Sequence, residues 1–225
     1  MRQLSTSTAQ PRLRSSKALL SRAPAQLKKA SQPAEMQAIH VFKTELGWMA
    51  ICGTQRGLTT LTFGHGLRQE AIDRIKFESQ GHHFSPPSAP GSRSRRGDSL
   101  EFSWMEQAES LLIAYAAGEP VDLSTIPQDI PAGTRFEQRV REQLSRIGYG
   151  QTITYGQLAD AAEAPRAARA VGSVMSRNTI PLVVACHRVI AASGKLAGYS
   201  TPAGLDMKKR LLEMERSGRP VTGSH

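Results

Sequence analysis

The residues best suited to chemistry stand side by side in residues 183–190, where Cys186, His187 and Arg188 interrupt an apolar run. Polar and charged groups in such a run are costly to bury unless they have partners. A thiol with a pKa of about 8.5 is only slightly ionised at neutral pH, so it becomes a useful nucleophile when a histidine can take its proton. We therefore interpret this stretch as a buried strand or tightly packed turn that carries a candidate nucleophile, Cys186, and a candidate base, His187.

Geometry limits this interpretation, because consecutive residues of an extended chain point in different directions. A direct contact between Cys186 and His187 is therefore not expected, and a bridging water is the easier arrangement. The stretch alone also fits a buried, inert cysteine, which is the more common case.

The whole chain sets outer bounds on function. It has 225 residues, enough for one large domain or two small ones, and a formal net charge of +10, which favours a polyanionic partner. Its two cysteines, Cys52 and Cys186, are far apart and have neither disulfide nor metal-ligand spacing. No apolar run approaches the ~20 residues of a membrane span. We expect no membrane association, a cytoplasmic protein (in the bacterial cytosol or nucleoid, or in a eukaryotic nucleus) and free thiols.

The first 35 residues are predicted to form a disordered basic tail, because seven Lys and Arg residues oppose one acid among many Ser, Ala, Gln and Pro residues. A dispensable tail, a translation start at Met36 and an organelle transit peptide all fit this composition. Residues 221–225 are expected to be disordered as well.

Residues 36–130 are predicted to form the first domain, with a flexible Pro/Ser/Gly/Arg-rich loop at 81–99. Short β-prone runs at 38–44, 48–53 and 57–63 predict an antiparallel meander, in which Cys52 belongs to the core. Helix-compatible patterns follow at 68–80 and 102–117.

A second domain is predicted over residues 131–220, after a linker at 127–133 that contains two prolines and a glycine. A helix is expected from Thr134, and short helices at 154–162 and 166–177 form a candidate helix-turn-helix, with Pro165 in the first turn of the second helix. A packed helical hairpin is the simpler reading, but the arginines of the second helix keep DNA binding equally open. A last helix is predicted over 205–215.

Several short motifs of the second half occur in one order: TYGQLA at 154–159, ARAVG at 168–172, RN at 177–178, CHRVI at 186–190, GYS at 198–200, and LL at 211–212 followed by Glu215. Together they closely resemble the O6-alkylguanine-DNA alkyltransferases, also called methylated-DNA–protein-cysteine methyltransferases. The resemblance is strong over about 134–216. Over 38–120 it is weaker, and rests there on Leu46-Gly47-Trp48 and Arg56-Gly57-Leu58.

This resemblance implies a fold and an activity. The fold would be an α/β N-terminal ribonuclease H-like domain plus a mostly α C-terminal winged-helix (helix-turn-helix) domain that carries the active-site cysteine. The activity would be direct DNA repair, in which Cys186 accepts the O6-alkyl group, mainly methyl, of a damaged guanine and the protein is consumed. By the same resemblance, His187 would act as a base through a water, Glu215 would orient it, and Asn178 would hold the turns around the cysteine.

The resemblance also implies how DNA is bound, because a base inside a duplex must leave the stack to reach a buried thiol. The second helix of the helix-turn-helix, with its small residues Ala168 and Gly172, would enter the minor groove. Arg169 would fill the vacated stack, and Tyr155 would help to rotate the phosphate of the target nucleotide.

For the flipped base, the family implies contacts from Tyr155 to N3 and from Ser200 to O6. The backbone around Cys186 and Val189 would read the exocyclic amine, and Tyr199 is a further candidate for substrate binding. The partner would be double-stranded DNA containing O6-alkylguanine, with O4-methylthymine as a minor substrate. No cofactor or metal is predicted, and a monomer is expected.

The main departure from the family pattern is Ala185, where a proline usually precedes the cysteine. The alanine removes no reacting group, so we expect activity to persist at a lower rate. Two other functions stay open: a non-enzymatic alkyltransferase-like protein that binds damage, and a helix-turn-helix transcriptional regulator. A cysteine hydrolase is poorly supported, because adjacent Cys and His lack the separated nucleophile and base of that chemistry.

Overall fold

The computed structural model describes residues 37–79, 102–196, 198–199 and 201–218. The predictions for the tail at 1–35, the loop at 81–99, the end at 221–225 and Ser200 lie outside these residues. Among the helices of the described ranges, none combines the length and apolar character needed to cross a membrane. The elements, in chain order, are β1 (Ala38–Thr44), β2 (Gly47–Thr54), β3 (Gly57–His65), α1 (Arg68–Glu78), α2 (Ser103–Ala116), α3 (Arg135–Ser145), β4 (Ile153–Thr154), α4 (Tyr155–Ala161), α5 (Ala168–Ser176), β5 (Val189–Ile190) and α6 (Gly204–Ser217).

Strands β1, β2 and β3 form an antiparallel sheet in that order, with Ile39 opposite Cys52, as the predicted meander requires. Because successive side chains of a strand point to opposite faces, the middle strand β2 contributes to two cores. Ala50 and Cys52 pack with the buried face of α1, whereas Met49 and Ile51 pack with that of α2. Helices on both faces of the sheet explain why β2 is apolar throughout.

The close approach of α2 to the sheet requires glycine at position 53. A Cβ atom on Gly53 would come within 2.5 Å of the Trp104 ring, closer than side-chain atoms can pack. The Trp104 indole N–H donates to the carbonyl oxygen of Thr54 at 2.8 Å, which satisfies its one polar group.

The first residues of the predicted linker at 127–133 are hydrogen-bonded to the sheet. The N–H of Leu58 donates to the carbonyl oxygen of Pro127 at 2.8 Å, and the N–H of Asp129 donates to the carbonyl oxygen of Leu58 at 2.8 Å. The hydroxyl of Thr54 donates to the Asp129 carboxylate at 2.6 Å. These bonds fix the chain on β3 before it enters the second half.

Helix α3 begins where the sequence predicts it, because Thr134 and Glu137 form a capping box. The Thr134 N–H donates to the Glu137 carboxylate at 2.7 Å, and the Glu137 N–H donates to the Thr134 hydroxyl at 3.2 Å. Together with an ion pair to Arg177 at 2.7 Å, these bonds lower the pKa of Glu137 to about 2. The same carboxylate therefore caps α3 and ties it to the end of α5.

The second helix of the predicted helix-turn-helix begins at Ala168, two residues later than the predicted range of 166–177. Arg166 adopts a left-handed conformation, with φ +70°, so the chain cannot be helical there. Pro165 consequently lies in the turn between α4 and α5, and the prediction that it occupies the first helical turn is wrong. Glu163, in the same turn, is also left-handed, with φ +56°.

The two halves share one core. Ile180, Leu182, Met207 and Leu211 from the second half are buried in the same cluster as the inner face of the sheet and α2. The N–H of Leu61 in β3 also donates to a carbonyl oxygen just after α5, that of Thr179, at 2.8 Å. The segment that leads to Cys186 is therefore held against the first half of the chain.

The left-handed conformation of Glu163 yields a stability prediction. An L-residue pays about 1–2 kcal/mol for this conformation and glycine pays little, so Glu163→Gly should stabilise the protein by about 1 kcal/mol. In thermal unfolding followed by circular dichroism, the midpoint should rise by about 2–4 °C. Glu142→Gly is the matched control, because this exposed glutamate lies within α3 and its replacement should lower the midpoint. A decrease in both variants would contradict the prediction.

Candidate active site

Cys186 begins a single 3₁₀ turn, Cys186–Arg188, directly before β5. Strand β5 pairs in parallel with β4, with Ile153 opposite Val189. Tyr155 directly follows β4. This short pair of strands therefore brings the start of α4 beside the turn that carries the cysteine.

Asn178, just after α5, holds the chain around the cysteine by three hydrogen bonds. Its side-chain amide donates to the carbonyl oxygen of Val184 at 2.8 Å and to Cys186 Sγ at 3.2 Å. Its side-chain oxygen accepts from the N–H of Ile180 at 3.2 Å. A donor at the sulfur favours the thiolate over the thiol. Asn178 thus links the end of α5 to the reactive atom.

The Cys186 thiol is protonated at rest. Only 8% of the residue is exposed, and burial raises the pKa of the thiol above its usual range. The hydrogen bond from Asn178 and the positive charge of Lys208 oppose this shift. A nucleophilic role therefore requires a group that takes the proton as the reaction proceeds.

The carboxylate of Glu215, on α6, is the electrostatic centre of the site. It accepts hydrogen bonds from His187 Nε2 at 2.8 Å, the Tyr115 hydroxyl at 2.6 Å and the Gly150 N–H at 3.1 Å. The Arg188 guanidinium donates to both of its oxygens, at 2.9 and 3.0 Å. Although burial opposes ionisation, these donors hold the pKa of Glu215 far below its usual range. The carboxylate is therefore a permanent anion.

An ionised Glu215 decides the tautomer of His187. Nε2 must carry the proton that it shares with the carboxylate, which leaves Nδ1 with a lone pair. Nδ1 is shielded from solvent and has no hydrogen-bond partner among the described residues. Burial lowers the pKa of His187, so the ring is neutral at pH 7. This histidine can accept a proton at Nδ1, and a water between Nδ1 and the sulfur would provide the path.

A cleft of about 630 Å³ opens onto Cys186. Its lining combines apolar and aromatic residues with polar and charged ones. Its walls include Leu61 and Phe63 of β3, Tyr155 of α4, Gly172 and Met175 of α5, and Tyr199. Both halves of the chain therefore form this cleft, and α5 lies along its rim.

Ala185, the residue before the cysteine, has φ −73°. Proline imposes a φ of about −65°, so the backbone already has the shape that proline would fix. Compared with proline, alanine at this position therefore gives the unfolded chain more conformational freedom but leaves the shape of the folded turn nearly unchanged.

The structure brings together most of the residues predicted for the site. Cys186, His187, Asn178 and Glu215 form one connected group, and Tyr155, Gly172 and Tyr199 line the cleft beside it. Arg169 and Ala168 lie at the start of α5, where the Arg169 side chain is exposed. Val189 is buried, and its carbonyl oxygen accepts from Lys208 Nζ at 2.7 Å. Ser200 lies outside the described residues.

Three contributors were missed or undervalued from sequence. Arg188 has no predicted role beyond its place beside Cys186 and His187, and it binds both oxygens of Glu215. Tyr115 fits the apolar spacing of α2, which gives no sign that its hydroxyl reaches Glu215 and His187. Lys208 has no predicted role within the last helix, but its side chain is buried, with Nζ 6.0 Å from the centre of the Tyr155 ring. A lysine among the leucines of α6 was the only available signal.

Comparison with known proteins gives several matches. Residues 135–217 match the family described as "6-O-methylguanine DNA methyltransferase, DNA binding domain". A methylated-DNA–protein-cysteine methyltransferase of Mycobacterium bovis is 42% identical over 160 residues, which are 70% of this chain and 86% of that protein. The protein of the same name from Methanosarcina acetivorans is 33% identical over 179 residues, 79% of this chain and 97% of that protein.

Solved structures agree with these matches. A crystal structure of Mycobacterium tuberculosis OGT in complex with DNA aligns with a TM-score of 0.60 and 34% identity, over 81% of this chain and 95% of that one. The O6-methylguanine-DNA methyltransferase of Pyrococcus kodakaraensis aligns with a TM-score of 0.57 and 28% identity, over 80% and 99%. On these matches, the chain belongs to the methylated-DNA–protein-cysteine methyltransferase family.

Proposed function

We propose that this protein repairs DNA directly, by accepting the O6-alkyl group of an alkylated guanine on Cys186, and that each molecule acts once. Membership of the family supports this activity. The observation that carries it is the buried thiol at the cleft, with Asn178 on its sulfur and a neutral His187 held by Glu215 beside it. It is an enzyme of the methylated-DNA–protein-cysteine S-methyltransferase class.

The proposed reaction is one displacement. Cys186 Sγ attacks the alkyl carbon, the S–C bond forms, and the C–O6 bond breaks with its electron pair passing to the guanine. The thiol proton passes through a water to His187 Nδ1, the departing guanine anion takes one proton from solvent, and the protonated His187 returns its proton to solvent. A thioether has no easy return path, so the protein is consumed. Hydrogen bonds to the base stabilise the charge that develops on the leaving guanine.

We further propose that the substrate is O6-alkylguanine in double-stranded DNA, mainly the methyl adduct, with O4-methylthymine as a minor substrate. Small residues Ala168 and Gly172 suit α5 to the minor groove, and exposed Arg169 suits the gap left by a flipped base. Tyr155, Tyr199 and Ser200, together with the backbone at Cys186 and Val189, would hold that base.

We also propose that the chain has the two domains that the family resemblance implies. The antiparallel sheet with α1 and α2 supports a ribonuclease H-like domain over 36–130, and α3 to α5 with the β4–β5 pair support a winged-helix domain over 131–220. A cytoplasmic location is consistent with the two free cysteines.

We also propose that the protein is a monomer. Among the described residues, four large apolar side chains are exposed: Leu67, Phe77, Ile113 and Leu205. Single exposed apolar side chains are normal on monomeric proteins, and they do not require a partner.

Mass spectrometry tests the proposed reaction. After incubation with a duplex containing O6-methylguanine, the peptide that carries Cys186 should gain about 14 Da, the mass that one methyl group adds when it replaces the thiol hydrogen. Cys186→Ala should bind the same duplex without a mass change. An unmodified wild-type protein bound to the lesion would instead support a damage-binding function, and a footprint on one undamaged sequence would support a regulator.

The contact between Asn178 and the sulfur predicts a pH effect. Asn178→Asp keeps an oxygen for the Ile180 N–H, but it replaces the donor at Cys186 Sγ with a negatively charged acceptor. The thiolate is then disfavoured and the pKa of Cys186 rises. In alkylation by iodoacetamide, the midpoint of the rate against pH should move up by about one unit or more. Gln151→Glu is the matched amide-to-acid control outside the cleft, and an unchanged midpoint in Asn178→Asp would exclude this role.

The position of Arg169 predicts a difference between substrates. Arg169→Ala should slow repair of O6-methylguanine in duplex DNA by about tenfold or more, because a flipped base then leaves an unfilled gap. Reaction with the free base, O6-methylguanine, should hardly change. Arg146→Ala, which removes an exposed arginine from the end of α3, controls for the loss of charge. Equal losses on duplex and free base would remove the proposed role of Arg169.

A further inference from the structure

Two hydroxyls in the cleft do not belong to the hydrogen-bonded group around Cys186 that the described residues form. Tyr199 and Thr201 lie just before α6, and both line the cleft that holds Cys186. The Tyr199 hydroxyl and Thr201 Oγ1 are shielded from solvent, and neither has a hydrogen-bond partner within the described ranges. Burying a hydroxyl without a partner costs free energy, so two such hydroxyls in the cleft that holds Cys186 indicate a site for a polar ligand group.

Aromatic and apolar side chains form part of the cleft wall that includes Tyr199. The Tyr199 ring packs edge-on against Phe63, with 6.4 Å between the ring centres, and Leu61 and Met175 form further parts of the wall. Burial raises the pKa of the Tyr199 hydroxyl well above its usual range, so the hydroxyl keeps its proton and can donate a hydrogen bond. Other polar side chains also line the cleft, but among the described residues of this lining only these two hydroxyls are both shielded from solvent and without a hydrogen-bond partner.

The chemistry of a hydroxyl limits what the pair can bind. Each can donate one hydrogen bond and accept others, so the best partner is a group that also donates and accepts, such as another hydroxyl. A methyl or propyl substituent has no such group and would leave both hydroxyls unsatisfied. A cleft of about 630 Å³ is in the size range of sites for drug-sized ligands, so it has room for a longer substituent.

We propose that the hydroxyls of Tyr199 and Thr201 form a polar subsite for the O6 substituent, which selects hydroxyalkyl adducts such as O6-(2-hydroxyethyl)guanine over hydrocarbon adducts of equal length. This inference rests on the proposed function, because it concerns the group that Cys186 accepts. The transfer step is the same: the S–C bond forms, the C–O6 bond breaks, its electron pair passes to guanine, and the hydroxyl of the substituent is unchanged.

The test compares two substrates of equal size, duplexes with O6-(2-hydroxyethyl)guanine or O6-propylguanine at one position. The rate of appearance of the modified Cys186 peptide is measured for each, and their ratio removes effects on folding and on DNA binding. Thr201→Val and Tyr199→Phe should each lower the hydroxyethyl-to-propyl ratio by about five- to thirtyfold, the usual effect of one lost buried hydrogen bond. In Thr201→Val, the rate with O6-methylguanine should not fall with the ratio.

Two control variants show whether loss of the Thr201 hydroxyl causes the lower hydroxyethyl-to-propyl ratio. Thr201→Ser keeps the hydroxyl and should keep the wild-type ratio. Thr179→Val removes an exposed hydroxyl from the edge of the same cleft and should also leave the ratio unchanged.

An unchanged ratio in both Thr201→Val and Tyr199→Phe would overturn the inference. So would equal losses on all three substrates, because the hydroxyls would then serve the guanine rather than its substituent. If the wild-type protein still transfers the methyl group, neither of these two results would contradict the proposed function. Failure of the wild-type protein to accept the methyl group would overturn the proposed function and this inference together.

Discussion

The buried carboxylate of Glu215 is the interaction on which the rest of the site depends. A buried charge is tolerated only when paired and fully hydrogen-bonded, and this one has donors from His187, Arg188, Tyr115 and Gly150. These donors come from separate parts of the chain, so the carboxylate can be buried as an anion only in the assembled fold. Once it is an anion, it determines which nitrogen of His187 carries a proton. Glu215 on α6 therefore determines the protonation of the histidine that would serve Cys186 as a base.

The same arrangement explains how a deeply buried cysteine can be both inert and reactive. Burial keeps the thiol protonated and away from solvent, whereas Asn178 and Lys208 lower the cost of the thiolate. A neutral imidazole next to it can remove the proton when a substrate is in place. The local backbone already has a shape that proline would favour at Ala185, so the turn is prepared by its conformation and not only by its side chains.

Local patterns predicted much of this molecule, and the failures have physical causes. The antiparallel meander follows from alternating β-prone residues, and the start of α3 follows from the capping pair at Thr134. The start of α5 was predicted too early, because a left-handed conformation at Arg166 leaves no mark in composition. Tyr115 was missed because its apolar spacing in α2 accounts for the ring, while its hydroxyl meets Glu215, 100 positions away in the sequence. Contacts of this kind are properties of the assembled fold.

The contact between Tyr115 and Glu215 also has a consequence for inheritance. A hydroxyl from the first half of the chain completes an ion cluster in the second half, and the two halves share a core and a cleft. Recombination that exchanged one half for that of a distant relative would have to preserve the tyrosine, its depth and its angle of approach. The two halves are therefore expected to vary in concert, as one heritable unit, even though only the second carries the reactive cysteine.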